Sequence, residues 1–224
     1  MTTSLSRTTQ IGVGIATSAV LAVVLARLVA ASAGKETLGI FLMALSFIAA
    51  GGGFAVAASV RIRNWAAFGV RGTTGRWLLF GLAGGVLGLV LKIPVTQAYV
   101  ALTGDTGNAQ ADWATAASGG AVQLMLSLLF LGVLTPIGEE LLFRGVVTTA
   151  LLRYGPVAGV VGSAVIFAVL HGVPVTMLSG LIVGLIAGEL RRRSDSVWPG
   201  VVTHVTFNVA SSLLAFVVAP LLGG

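Results

Sequence analysis

The sequence predicts an all-α protein, a polytopic bundle of about seven transmembrane helices. Three observations carry this. First, the 224 residues are 56% hydrophobic and 9% charged, with mean hydropathy +1.02. A soluble domain carries about 25% charged residues, so this chain lacks the polar side chains to cover a water-facing surface. Second, the apolar residues fall in runs of helix-spanning length, about 20 residues each. Third, the arginines collect in a few short connectors, as cytoplasmic loops of membrane proteins do. The 31 glycines suit close helix packing in lipid. The absence of cysteine excludes disulfides, thiolate zinc sites and a cysteine nucleophile. The net charge of +6 belongs to loops on this reading, not to a nucleic-acid surface.

The first run extends from Ile11 to about Ala33, with Arg27 near its end, placed to snorkel. Its alternative is a signal peptide cleaved after Ala31-Ser32-Ala33. The length favours a retained span. Leu38–Val60 is the second span. Residues 61–76 carry four arginines and no acid, which marks a cytoplasmic loop. Trp65 and Phe68 are placed there for the headgroup level. Trp77–Leu102 is the third span, in which Pro94 should kink or end the regular helix. Lys92 in the same span is expected to snorkel rather than line a cavity. Residues 103–118 hold two Asp and no Lys or Arg and read as external.

The fourth run, Gly119 to about Leu152, overshoots a bilayer core of about 30 Å and must tilt, kink or project. Arg153-Tyr154-Gly155-Pro156 is a turn. Val157–His171 is the fifth helix, followed by a break at Gly172-Val173-Pro174. Val175–Leu190 is the sixth, ending in Arg191-Arg192-Arg193. Val197–Leu221 is the seventh. The charges place the N-terminus in the cytoplasm and the C-terminus outside, with the cell membrane as the expected location.

Ionisable and polar groups inside these runs carry the chemistry. Glu139, Glu140 and Arg144 sit in the fourth, His171 ends the fifth, and His204 and Asn208 lie in the seventh. A charge at bilayer depth costs about 2.5–3.5 kcal/mol or more and marks a functional site by default. Glu140 and Arg144 are four apart, as are His204 and Asn208, so each pair shares a helix face. Glu139 lies sixteen residues before Gly155 and His171 sixteen after it, which aligns them in depth across a hairpin. His204 fits this register less well, lying nearer its own turn. Neighbouring carboxylates in a low dielectric do not both ionise cheaply. With Arg144 holding one of them, the other is suited to take a proton from water. The histidines would bind a metal that acidifies the water, or donate to an oxyanion together with Asn208. No Ser/His/Asp or Cys/His set stands out. Each pair alone also has a structural reading, as a buried ion pair or an interhelical hydrogen bond.

E-E-x-x-F-R at Glu139, Glu140, Phe143 and Arg144, F-x-x-x-H at Phe167 and His171, and H-x-x-x-N at His204 and Asn208 occur in that order on apolar helices. This arrangement resembles the CPBP family of intramembrane endopeptidases, the CAAX-processing and bacteriocin-processing proteases also called Abi. The resemblance covers about residues 119–224, the expected catalytic core. Residues 1–118 are then variable N-terminal helices. It implies hydrolysis of a peptide bond in a membrane-associated protein or peptide, as in eukaryotic members that remove the last three residues of prenylated C-a-a-X proteins.

Within that family, both a metal-dependent and a metal-free mechanism are argued. For the first, Glu139, His171 and His204 are the expected zinc ligands, although no compact H-E-x-x-H spacing supports them. For the second, Glu139 activates the water and Glu140 pairs with Arg144. His171 assists, and His204 and Asn208 hold the oxyanion. The expectation is that no metal is tightly bound. Two other function classes remain open: a non-catalytic membrane partner using the same polar cavity, and a proton-coupled transporter. The transporter lacks the two-half repeat many carriers show.

Overall fold

A computed structural model describes residues 2–30, 35–60, 64–105, 120–172 and 175–222. The A-x-A segment, Arg61, Arg63, most of the expected external loop and the break at Val173-Pro174 lie outside the described residues. Among the described residues all regular structure is helical. These residues form seven helices: α1 (Thr2–Ala30), α2 (Lys35–Val60), α3 (Gly75–Thr103), α4 (Ala121–Tyr154), α5 (Ala158–Leu170), α6 (Val175–Ser194) and α7 (Trp198–Leu222). A short 3-10 turn, Trp65–Phe68, lies between α2 and α3.

Among the described residues, four stretches are long and apolar enough to cross a bilayer: Phe41–Ser59, Gly75–Thr103, Ala121–Tyr154 and Trp198–Phe216. Ile11–Leu25 and Ala158–Leu170 are shorter apolar helices. The chain is therefore an integral membrane protein. Pro94 does not end α3, which continues to Thr103. The loss of one donor is tolerated when the rest of the ladder is kept.

Small residues set how the helices meet. On α3, Gly81, Gly84, Gly85 and Gly88 form a stripe against α7. A Cβ at Gly85 would lie 2.5 Å from Thr206 Cβ, and one at Gly81 would lie 2.5 Å from the Pro199 carbonyl oxygen. Side chains there would force the backbones apart. Thr203 ties the same seam, donating to the carbonyls of Gly81 at 3.0 Å and Pro199 at 2.9 Å. On the other flank, a Cβ at Gly138 would come within 2.9 Å of the Phe47 carbonyl, so α4 lies directly on α2. Thr135 donates to the Met43 carbonyl at 3.0 Å in the same seam.

Helix α4 is not a regular α-helix. Leu128–Leu134 and Leu141–Thr148 are π-helical, and they bracket the turn Thr135–Glu140. Such wider turns recur at functional sites. The long fourth run thus fits by changing its winding on both sides of the glutamates. It ends at Gly155, whose φ of 108° is a conformation glycine adopts without penalty.

The loop after α2 corrects one expectation. Trp65 is exposed, but Phe68 is buried at 3% and packs edge-on to Phe54, with ring centroids 6.0 Å apart. It belongs to the core with Leu142, Val146, Val147 and Phe167, not to a headgroup layer.

Candidate active site

The ionisable residues of three helices meet inside the bundle. Glu140 and Arg144 are both at 0% exposure. Arg144 Nη2 donates to Glu140 Oε1 at 3.1 Å, and Arg144 Nε lies 2.9 Å from Oε2 as a charge contact off the hydrogen-bond line. The i,i+4 spacing on a helix makes this pairing local. Gly200 of α7 lets that helix pass over the pair. A Cβ there would sit 2.7 Å from Glu140 Oε2.

Glu139 points elsewhere. Its side chain is 15% exposed, and its Oε2 lies 3.7 Å from His171 Nε2 and 3.9 Å from His204 Nε2. These separations exceed a direct hydrogen bond and suit a bridging water or a substrate atom. Each imidazole is oriented from behind. His171 Nδ1 is 2.8 Å from the Phe167 carbonyl, which only accepts, so that nitrogen carries the proton. His204 Nδ1 is 3.2 Å from Glu140 Oε1, the oxygen that also receives Arg144. Both rings therefore turn Nε2 toward Glu139.

Phe167, at 0% exposure, is the packing centre of the site. Its ring centroid lies 4.2 Å from that of His171, 5.6 Å from His204 and 4.9 Å from Phe143. The Arg144 guanidinium carbon sits 4.9 Å from the same ring. One phenylalanine thus touches residues of all three motifs, and offers its π face to a cation that lacks a partner at Nη1.

Asn208 has a different placement from the one its motif suggests. Its amide donates to the Leu131 carbonyl at 2.9 Å, within the first π-helical turn of α4. Glu139, His171 and His204, the expected ligands should zinc be used, meet, but not as a ligand set. Among the described residues no three His, Cys, Asp or Glu side chains are arranged to hold a metal ion.

Arg191 is the residue that sequence reasoning missed. It appears as one of three loop arginines, yet it is 3% exposed while Arg193 is exposed. Its Nε donates to the Arg144 carbonyl at 3.2 Å, Nη2 to Thr149 Oγ1 at 2.8 Å and Nη1 to Asp195 at 3.0 Å. Burial first, and the like charge of Arg71 second, hold its guanidinium down to about 10, so it remains charged at neutral pH. A signal was present in the sequence. Gly180, Gly184, Ala187 and Arg191 continue one buried face of α6 at helical spacing. Arg191→Ala removes bonds that fix the carbonyl of Arg144, and each hydrogen bond from a charged donor contributes about 1.5–3 kcal/mol. The expected result is a clear fall in the melting temperature of the detergent-purified protein, with Arg191→Lys intermediate. An unchanged melting curve for the Ala variant would remove this anchor from the account.

The α6–α7 turn is locked in place around that arginine. Arg71 pairs with Asp195, and its Nε donates to the Asp195 carbonyl at 2.7 Å. Val197 N–H donates to the Gly69 carbonyl at 2.9 Å, and Ser196 Oγ to the Arg71 carbonyl at 2.8 Å. The turn is drawn inward to the level of Arg144, while α4 continues ten residues beyond it to Tyr154. This recess brings His204, only six residues into α7, level with Glu139.

Apolar helices gathered around a sequestered cluster of two glutamates, an arginine and two histidines define an integral membrane protein with a polar interior site. Residues 121–210, which hold every one of these groups, match the family model described as Rce1-like, type II CAAX prenyl endopeptidase Rce1-like. Over this segment the chain is similar to the CAAX-type membrane endopeptidases. No curated protein and no solved structure matches it.

Proposed function

We propose that this protein is an intramembrane endopeptidase that hydrolyses a peptide bond of a membrane-associated protein or peptide with water activated by Glu139. Residues 119–224 form its catalytic core. The observation that carries the reading is the unequal treatment of the two glutamates. Glu140 is sealed against Arg144, whereas Glu139 is partly exposed and faces the Nε2 atoms of both histidines.

The chemistry follows from that placement. A water between Glu139 and the histidines is oriented by His171 Nε2, whose tautomer leaves a lone pair on the inner side. Glu139 takes a proton from it as the water oxygen attacks the carbonyl carbon. The developing oxyanion is stabilised by His204 in its doubly protonated form, with Glu140 accepting from Nδ1–H. The second amide hydrogen of Asn208 is the further donor. As the C–N bond breaks, Glu139 passes its proton to the leaving nitrogen, giving a carboxylic acid and an amine. Exclusion of bulk water around Phe167 strengthens each of these charge interactions.

The described part of the basic loop 61–76 and the loop 191–196 meet at one end of the bundle through Arg71, Asp195 and Arg191. This supports a common side for both, and by the positive-inside rule that side is the cytoplasm, with the N-terminus inside. The test compares protein termini in membranes from cells carrying wild type or Glu139→Gln at matched expression. Peptide ends present only with wild type are expected. Identical termini, with full phenotypic rescue by the variant, would replace the protease by a non-catalytic membrane partner.

A further inference from the structure

Lys92 is a cation at bilayer depth that the chemistry above does not use. Instead of extending along its helix to an interface, it is half-buried, with Nζ 5.5 Å from the ring centroid of Phe207 on α7. Phe207 is itself 6% exposed and lies three residues after His204. Among the described residues no acidic side chain pairs with Lys92. A lysine held in this position without a counter-charge bears the cost of an intramembrane charge, offset only by the Phe207 ring.

Its surroundings are also short of partners. Gly84 of α3 faces Thr203 and Gly88 faces Phe207, so positions on the two helices meet at a constant offset of 119. The same offset sets Lys92 opposite Ser211. Ser211 Oγ is buried without a hydrogen-bond partner, and so is Thr96 Oγ1, one helical turn beyond Lys92 on its own face. By this register an ammonium group and two hydroxyls lie on neighbouring turns of α3 and α7, and the hydroxyls have no hydrogen-bond partner.

We propose that Lys92, with the hydroxyls of Ser211 and Thr96 on the neighbouring turns, is the subsite that receives a carboxylate of the bound peptide. The inference rests on the endopeptidase reading for the identity of that peptide. Along α3, Lys92 is seven residues beyond Gly85, which lies against Thr203, next to His204. Seven residues of helix rise by about 10 Å, and an extended chain covers that in about three residues. The carboxylate therefore sits about three residues from the bond that is cut. It comes either from the chain terminus or from an Asp or Glu side chain.

The test measures binding on the Glu139→Gln background, so that the peptide is not consumed. The protein is placed in phosphatidylcholine nanodiscs. The probes are fluorescent, N-acylated peptide pools with the last four positions randomised, ending in a free acid, in a carboxamide, or in Asp with a carboxamide. The expected result is that the acid binds about tenfold more tightly than the amide, on the scale of a hydrogen bond to a charged group. Lys92→Gln abolishes the difference and Lys92→Arg keeps it. Tight binding of the Asp pool would assign a side-chain carboxylate instead of the terminus. Equal binding of all three pools, or binding of none, would overturn the proposal. So would a Lys92 dependence that appears only when phosphatidylglycerol is added, which would transfer the site to a lipid phosphate. Hydrolysis by the protein with Glu139 intact is scored separately. Discrimination without any cleavage would keep the subsite and reject the endopeptidase. Cleavage of acid and amide pools at equal rates, unaffected by Lys92→Gln, would do the reverse.

Discussion

Glu139→Gln lowers the rate of peptide cleavage by about 10²–10⁴-fold, the range a positioned general base contributes, and leaves the melting temperature close to that of wild type. The two halves of this expectation have separate causes. Gln keeps the volume and most of the hydrogen bonding of Glu, and the side chain is partly exposed, so little packing is lost. It cannot take a proton from water. The gap to His171 and His204, 3.7 and 3.9 Å in the wild type, still has room for a bridging water, which would then be oriented but not activated. The measurement is the cleavage rate in proteoliposomes beside the melting curve of the same preparation. A variant that folds normally and cleaves at the wild-type rate would remove Glu139 from the chemistry. Loss of both rate and fold would make it a structural carboxylate.

How the site could be read from sequence differs from residue to residue. The partnership of Glu139 with His171 was legible, because counting outward from Gly155 gives equal depth on the two arms of a hairpin. The Glu140–Arg144 pair was legible from i,i+4 spacing. His204 was not placed by counting. Its depth depends on the recessed α6–α7 turn, which is held by contacts to Gly69, Arg71 and Thr149, and on the two π-helical turns in α4. The π-helical turns, LLFLGVL and LLFRGVVT, lie on either side of Pro136, which marks an interruption in the sequence but not the winding that results. Asn208 shows the opposite limit. Its spacing from His204 was correct, but a shared helix face does not say which neighbour an amide will meet, and here that neighbour is the Leu131 carbonyl. Lys92 was expected to reach an interface, and the ring of Phe207 holds it instead. That contact joins residues more than a hundred positions apart.

Arg144→Ala has the largest expected effect on the fold. It leaves Glu140 fully buried with only His204 Nδ1 near it, and breaking one side of a buried ion pair costs about 3–5 kcal/mol. The loss extends beyond the pair, because the guanidinium also packs over Phe167, the ring that supports both histidines. Glu140→Ala exposes the same dependence from the other side, stranding Arg144 among Phe143, Phe167 and the α7 backbone. The informative variant is the double substitution Glu140→Leu with Arg144→Met. It removes both charges and refills much of the volume, so no unpaired ion remains in the bundle. Such replacements are often neutral or stabilising. The double variant is therefore expected to melt well above either Ala variant, and the non-additivity measures the coupling between the two groups. Turnover is not expected to return with stability, because His204 has then lost the acceptor that fixes its ring. Recovery of both stability and turnover in the double variant would show that the ion pair only fills space. Wild-type stability in Arg144→Ala alone would mean that the carboxylate of Glu140 needs no partner at all.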